Sequence, residues 1–437
     1  MSVDDVLIDL RNGKYDPQLE KLYGIMAVPK QRLRYENAVM EFARQFPHRV
    51  DSDISLFSAP GRTEIGGNHT DHQHGCVLAA AVDLDVIAVV SFHNEKIIRV
   101  KSKGYDLDEV VLNDTTVCES EKGSSAALIR GIAAQFINEM VNIGGFDAYT
   151  TSDILSGSGL SSSAAFEILI GTIIDSRFEG GSSKPIKLAK IGQYAENIYY
   201  GKKCGLMDQA VCAAGGLVFI DFHNIEDPMI QKYDADLSEY GYEICITDTR
   251  GSHSDLTDEY SAISDEMKQI AEYFGCKHLR DVNESEFERS ISDLRKLCSD
   301  RAILRVMHFF EENRRAQRES AALKDGNIES FLSLVNQSGI SSETLLQNLY
   351  SAKRPTEQAI PLAIALSRKI LNEKGAVRVH GGGFAGTIQA LVPSEDVEHY
   401  KSQMEAIFGK DCCYVLHIRK SGGVQVIGNT EKLSEVG

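Results

Sequence analysis

One stretch constrains the fold of this 437-residue chain more than any other: Ile154-Leu155-Ser156-Gly157-Ser158-Gly159-Leu160-Ser161-Ser162-Ser163-Ala164-Ala165. A strand-like segment at 146–153 leads into it and an apolar run at 164–174 follows, so the pattern is strand, Gly/Ser loop, helix. The glycines let backbone approach a ligand closely and adopt dihedrals that other residues avoid. The serines place hydroxyls and free N–H groups at the first helical turn, where unpaired donors and the positive end of the helix dipole favour an anion. A plain Ser-capped helix after a turn fits the same residues. No common phosphate cradle matches: GxxxxGK[ST] is absent, Ser162 stands where GxGxxG needs its third glycine, and there is no GxSxG here.

Charge limits what such a loop can serve. With 46 Lys+Arg against 63 Asp+Glu the formal net charge is −17. That argues against a protein whose main task is gripping nucleic-acid phosphates or an anionic membrane, and leaves room for a local anion site. A 43% hydrophobic content with nine prolines indicates a folded globular chain. The nine cysteines form no CxxC pair and are odd in number, which predicts reduced thiols and a cytoplasmic location, not a disulfide frame or a zinc site. The acidic start MSVDDVLIDLRNGKY lacks the apolar core of a signal peptide. No run approaches the roughly 18 apolar residues of a membrane span.

Along the chain, residues 1–50 read as a helical extension. Segments 54–62 and 76–92 read as buried strands, 124–141 as a helix and 186–200 as a helix ending at Gly201. A strand at 242–250 opens a second half. Residues 255–350 are helical and densely charged, which predicts solvated helix faces. AVRVH, TIQALVP and CYVLHI return to strands. The expected organisation is α+β, with an extension at 1–50, a first domain at 51–240 and a second at 241–437.

Two further segments carry chemistry. Pro60-Gly61-Arg62-Thr63-Glu64-Ile65-Gly66-Gly67-Asn68-His69-Thr70-Asp71-His72-Gln73-His74-Gly75 crowds Arg, Asn, Asp and three His between glycines. His69, His72 and His74 with Asp71 could ligate a metal, although the spacing is no known zinc pattern. The same loop could hydrogen-bond a polyol, with Asp accepting from two hydroxyls and Asn and His adding directional contacts; a merely polar turn is the third possibility. In Cys204-Gly205-Leu206-Met207-Asp208-Gln209, Asp208 lies twelve residues beyond Glu196, and an Asp near a helix start is by itself an ordinary cap.

Together these segments resemble the galactokinase branch of the GHMP small-molecule kinases. The family motif G-R-V-N-L-I-G-E-H-T-D-Y aligns with residues 61–72 without a gap, and G-x-G-L-S-S-S-A matches residues 157–164 at every fixed position. The turn G-G-F-G-G is met by Gly382-Gly383-Phe384-Ala385-Gly386, and Glu196 and Asp208 keep the family's E-x11-D spacing before M-D-Q. His308-Phe309-Phe310-Glu311-Glu312-Asn313-Arg314 and Asn336-Gln337-Ser338 are also similar, so the resemblance spans about 55–430. It implies an N-terminal α+β domain like that of ribosomal protein S5, a ferredoxin-like C-terminal domain, and a site between them. It also implies that Ser156, Gly157, Ser158, Gly159, Leu160, Ser161, Ser162 and Ser163 wrap the phosphates of ATP, with Mg²⁺ on Ser163 and Glu196. Asp208 would take the proton from an anomeric hydroxyl, Arg62 would stabilise the transferred phosphoryl group, and Asn68, His69, Asp71, Gly205 and Tyr260 would contact the sugar.

Several positions depart from the family pattern. Asn68 replaces a Glu, Glu64 an Asn and His72 a Tyr; R-x-T-G becomes Arg378-Val379-His380-Gly381; and Ala262 and Ile263 follow Tyr260 where an Arg is usual. The expected activity is ATP-dependent phosphorylation of a sugar at the anomeric hydroxyl, with D-galactose leading. Galacturonate, arabinose and an N-acetylhexosamine are alternative acceptors, and a non-catalytic galactose sensor is the alternative of another class. The expected partners are ATP and a small sugar, with no nucleic acid and no membrane, for a monomer or weak homo-oligomer.

Overall fold

The computed structural model describes residues 1–154, 159–233, 236–251 and 256–428. Within them twelve strands form two sheets: β1 (Ser55–Gly66), β2 (Cys76–His93), β3 (Ile97–Ser102), β4 (Leu107–Val111), β5 (Gly145–Ser152), β6 (Leu217–Asp221), β7 (Met229–Tyr233), β8 (Tyr242–Asp248), β9 (Ala376–Val379), β10 (Thr387–Pro393), β11 (Cys413–Leu416) and β12 (Val424–Ile427). The first sheet runs β12-β1-β2-β5-β3-β4, with β6 paired to β2 and β7 to β6. Its spine is β2, an 18-residue strand whose start pairs with β6 and whose end pairs with β5.

Alternation along these strands sends side chains to two cores, as the period-2 geometry of a strand requires. Phe57, Val86, Ala88 and Val90 join the main core under the helices Ser125–Asn138, Ser162–Phe178, Pro185–Tyr194 and Met207–Ala214. Leu56, Ile87, Val89 and Tyr149 face the other way and are covered by Val3–Arg11, Asp16–Tyr23 and Val28–Gln45. The N-terminal fifty residues are thus the second cover of the sheet. A fully buried Asp85 on β2 fastens them: Arg34 Nη1 donates to it at 2.6 Å, Tyr23 and Ser58 hydroxyls donate to it, and Arg419 Nη1 lies at 2.9 Å.

The second sheet, β11-β8-β10-β9, is antiparallel throughout. In chain order this is strand, helices, two strands, the helix Val397–Phe408 and a last strand, the ferredoxin-like arrangement. Cys245, Val377, Ile388 and Ala390 pack under Ala359–Leu371 and Val397–Phe408, whereas Ile244, Ile246 and Leu391 join the main core, so the two halves share one apolar interior. After the second sheet the chain returns to the first, where β12 pairs with β1. The segments on either side of residue 240 are thus joined both by this shared interior and by the return of β12. No helix among the described residues is long and apolar enough to cross a membrane.

The charged helices depart from expectation. On Asp300–Lys324, Arg305, His308, Glu312, Arg315 and Glu319 are buried, not solvated. His308 and Glu312 bond the loop after β1, whereas Arg305 bonds Glu266 and the Leu346 carbonyl, so polarity along this stripe serves internal contacts.

Asp85→Ala would leave Arg34 and Arg419 buried without their carboxylate. Chemical denaturation should show a loss of about 3–5 kcal/mol, and limited proteolysis should cut first within residues 1–50.

Candidate active site

Arg62 reaches the cleft because β1 is irregular there. Its register against β2 shifts between Pro60 and Arg62, and Gly61 lies so close to the Gly/Ser loop that a Cβ would be 2.8 Å from the Leu160 carbonyl. A bulge of this kind re-aims a side chain. The N–H of Arg62 donates to that same carbonyl at 3.1 Å. Its guanidinium forks onto Asp208, with Nε–Oδ1 and Nη2–Oδ2 both 2.7 Å, and Nη1 donates to the Gly159 carbonyl.

Asp208 occupies the first turn of the helix Met207–Ala214, where the dipole favours a carboxylate. The Ser161 hydroxyl also donates to Oδ2. Burial works against its charge, but Arg62 and Ser161 outweigh burial and hold its pKa below the usual carboxylate value. The side chain keeps 32% of its surface exposed, so a ligand can reach it.

Ser161 itself has φ +57°, an uncommon conformation for a non-glycine. It precedes the helix Ser162–Phe178, whose first turn has no side-chain cap. Those N–H groups point toward the region of Ser162, which is exposed, and Ser163, which is half-buried. Leu160 is fully buried as the apolar anchor of the loop. Ser156, Gly157 and Ser158 lie outside the described residues.

Glu196 lies in a wide helical turn, Ala195–Tyr200. It accepts from Ser163 Oγ at 3.3 Å, Gln209 Nε2 at 2.9 Å and Lys202 Nζ at 3.2 Å. Gln209 Nε2 also donates to Glu167 at 3.0 Å, tying the two carboxyls together. Burial, then the charge of Glu196, raises the Glu167 pKa well above the ordinary value, so it is held neutral. Glu167 Oε1 and Gln209 Oε1 are buried without a partner among the described residues. One carboxylate, one hydroxyl and spare oxygens suit Mg²⁺, which takes few protein ligands and completes its shell with water and phosphate oxygens.

The histidines do not assemble into a metal site. Among the described residues no group of three His, Cys, Asp or Glu is placed to hold an ion. His69, at φ +57°, donates from Nε2 to the Gly382 carbonyl at 3.1 Å. His72 has neither ring nitrogen partnered among the described residues, and His74 stacks on His278 at 3.6 Å. Burial lowers the His69 pKa to about 4 and that of His72 to about 3, so both rings are neutral.

Asp71 meets Gly205, and Tyr260 packs on the Gly382–Phe384 turn. Gly205 abuts Asp71 so closely that a Cβ would stand 1.8 Å from Oδ2. Burial, followed by the charges of Asp208 and Glu64, pushes the Asp71 pKa up to about 7. Tyr260 donates to the Gly383 carbonyl at 3.0 Å and meets the Phe384 ring edge-on.

Asn68 is a correction. Expected to contact the sugar, it is fully buried with its amide committed: Nδ2 donates to Glu64 at 2.9 Å and to the Gly381 carbonyl at 3.0 Å. Oδ1 accepts from Asn348 at 3.0 Å and from Ser342 at 3.3 Å. An amide with every hydrogen-bonding position taken by protein has none left for a ligand.

Family models match two stretches that bear this geometry. The galactokinase galactose-binding signature covers residues 40–92, and the GHMP kinase N-terminal domain covers residues 123–216. The structure is similar to Lactococcus lactis galactokinase complexed with galactose, with a TM-score of 0.75 at 21% identity over 89% of this chain and 99% of that one. The chain has the GHMP kinase fold. The Methanococcus jannaschii mevalonate kinase shares that fold, with a TM-score of 0.58 at 16% identity over 84% of this chain and 98% of that one. So does Streptococcus pneumoniae phosphomevalonate kinase in complex with phosphomevalonate and AMPPNP, with 0.57 at 13% over 82% and 99%.

Within this GHMP kinase fold, sequence reasoning did not single out Glu167, Lys202 or Gln209. Lys202 falls inside the Glu196–Asp208 interval and Gln209 directly after Asp208, so their neighbours were a signal; Glu167 had none beyond its place in an apolar helix.

Asn68→Glu would set a second carboxylate against Glu64, so loss of stability is expected, not a change of ligand. Thermal melting should fall while ligand ranking in the remaining folded protein stays the same. For Asp71, the folded protein retains a proton that an unfolded carboxyl releases above about pH 4. Its stabilising contribution is full below that pH and is lost as pH rises through about 7. Asp71→Asn should therefore melt with wild type near pH 4 and above it at pH 8.

Proposed function

We propose that this chain is an ATP-dependent sugar kinase acting on the anomeric hydroxyl, with D-galactose as its substrate. The observation that carries the reading is the Arg62–Asp208 fork, capped by the Ser161 hydroxyl, at the starts of two helices. Phosphoryl transfer asks for positioning and charge stabilisation more than for covalent chemistry. An ionised Asp208 can accept a hydrogen bond from the attacking hydroxyl, orient its lone pair and take the proton as transfer proceeds. Arg62 stands beside it to offset negative charge that builds on the phosphoryl oxygens.

Ser163 and Glu196 would hold Mg²⁺, which when bound shields the phosphate charge. The uncapped N–H groups at the start of Ser162–Phe178 supply the donors for the phosphates, as helix starts do. On the acceptor side, Asp71 can donate to a sugar hydroxyl while it holds its proton and accept from two once it is ionised, with His69 and Tyr260 bounding the space. The burial of Asn68 supports galactose over a differently substituted sugar, because its departure from the family pattern is absorbed inside the protein. The intact fork favours catalysis over a sensor role.

ATP consumption measured across galactose, galacturonate, arabinose, glucose and N-acetylhexosamines should be largest with galactose and require Mg²⁺. Absence of turnover with every aldose would sink the reading. Asp208→Asn should lower kcat by roughly 10²–10⁴-fold while sugar binding, followed by calorimetry, changes little; near-wild-type turnover would remove Asp208 as the base.

A further inference from the structure

Lys202 has no task in the scheme above, yet its ammonium shares a carboxylate oxygen of Glu196 with the Ser163 hydroxyl. It lies on the short loop between Ala195–Tyr200 and Met207–Ala214, flanked by Gly201 at φ +89° and by Gly205. Its Nζ is 3.2 Å from Glu196 Oε1, the same oxygen that accepts from Ser163 at 3.3 Å. Exposure separates the partners: the Glu196 side chain is 3% exposed and that of Lys202 63%. The carboxylate belongs to the wall, and the ammonium covers it from the open side. Burial opposes the ammonium's charge, but Glu196 and then Asp208 raise its pKa above the ordinary lysine value; the same charge is felt by Tyr260.

Arg62 cannot follow an incoming phosphate without giving up bonds already made, since all three of its nitrogens are engaged by Asp208 and Gly159. Lys202 is tethered at one point only. Its four-carbon stem is flexible, and its ammonium is a point charge with three rotatable donors. A divalent ion on Glu196 and Ser163 would put two cations on one carboxylate oxygen, so the ammonium must leave. The anion nearest to receive it is the terminal phosphate that arrives with that ion.

We propose that Lys202 is a second phosphate-binding cation of this site, paired with Glu196 in the nucleotide-free protein and transferred to the terminal phosphate of bound ATP. The inference rests on the kinase reading and adds to it a residue that separates triphosphate from diphosphate. The pairing with Glu196 keeps the cleft's carboxylates neutralised before ligand arrives. Its release lets charge stabilisation increase as the phosphoryl group moves.

Fluorescent ATP and ADP analogues, each with Mg²⁺, test this on wild type, Lys202→Met and Lys202→Arg. A charge-assisted hydrogen bond of ordinary strength predicts that Lys202→Met weakens ATP roughly tenfold or more, leaves ADP within about twofold, and lowers kcat with an unchanged sugar KM. Lys202→Arg should recover much of the ATP affinity. The long exposed stem makes a folded Lys202→Met the expectation, and Lys202→Gln serves the same comparison if melting shows otherwise. Equal changes for ATP and ADP, no change, or tighter Mg²⁺ binding alone would overturn the proposal. Wild-type turnover of a sugar alongside an unaffected variant refutes Lys202 only; a wild type that binds no nucleotide refutes the kinase reading with it.

Discussion

Glu312 accepts hydrogen bonds from the N–H groups of Gly67 and Asn68 and from Ser338, and it pairs with Arg315, all inside the protein. Burial penalises its charge, but His308, Arg315 and Arg378 overcome that and bring its pKa to about 2. A buried carboxylate is tolerated only when its lone pairs are used in this way. The bonds fix the turn after β1 to the helix Asp300–Lys324, and His308 repeats the tie by donating from Nε2 to the Asn68 carbonyl at 2.9 Å. Beside it, Glu319 solves the like-charge problem differently. It has no partner among the described residues, and burial followed by the charge of Glu312 keeps it protonated. The positions of His69 and Asp71 depend on this interior, since the turn that carries them has no strand pairing of its own.

The same interior explains departures that looked independent in the sequence. The family has Asn at 64 and Glu at 68; this chain has the reverse, and the two side chains bond each other at 2.9 Å. The carboxylate has moved to residue 64, where Arg378 Nη2 meets it at 2.6 Å and Arg378 Nη1 donates to the Ile65 carbonyl. Thr63, in place of the motif's Val, and His380, in place of Thr, form a second linked pair at 2.9 Å. One chain read residue by residue shows four substitutions. In space they form two hydrogen-bonded pairs, and all four side chains are buried.

Legibility followed locality. The strand–loop–helix signal, the short apolar runs of β2 and β8, and the Glu196–Asp208 interval are properties of contiguous sequence and lie near their expected places, whereas β1 continues to Gly66, into residues that read as a polar loop. What stayed hidden needed contacts across hundreds of positions. The buried charges of Asp300–Lys324 have the composition of a solvated face, and only their contacts with the turn after β1 and with other distant segments make them internal. The return of β12 to β1 joins residues more than 350 positions apart, and no local pattern encodes which sheet a terminal strand will choose. Glu167 reads as a stray acid in an apolar helix until Gln209 is seen donating to it and to Glu196 together.

If Asp208 is the base proposed above, its pairing with Arg62 also decides how strong that base is. A carboxylate held below its ordinary pKa is a poor proton acceptor from a neutral hydroxyl. In the reaction proposed above it would suit a loose phosphoryl transfer, in which bond formation to the nucleophile lags and little proton affinity is needed early. The fork trades base strength for aim: two 2.7 Å bonds and the Ser161 hydroxyl leave the carboxylate one orientation. The charge balance follows the same logic, because Arg62 and Lys202 offset Asp208 and Glu196 before any ligand enters. The net −17 of the chain is therefore not concentrated at these two carboxylates, each of which already faces a cation.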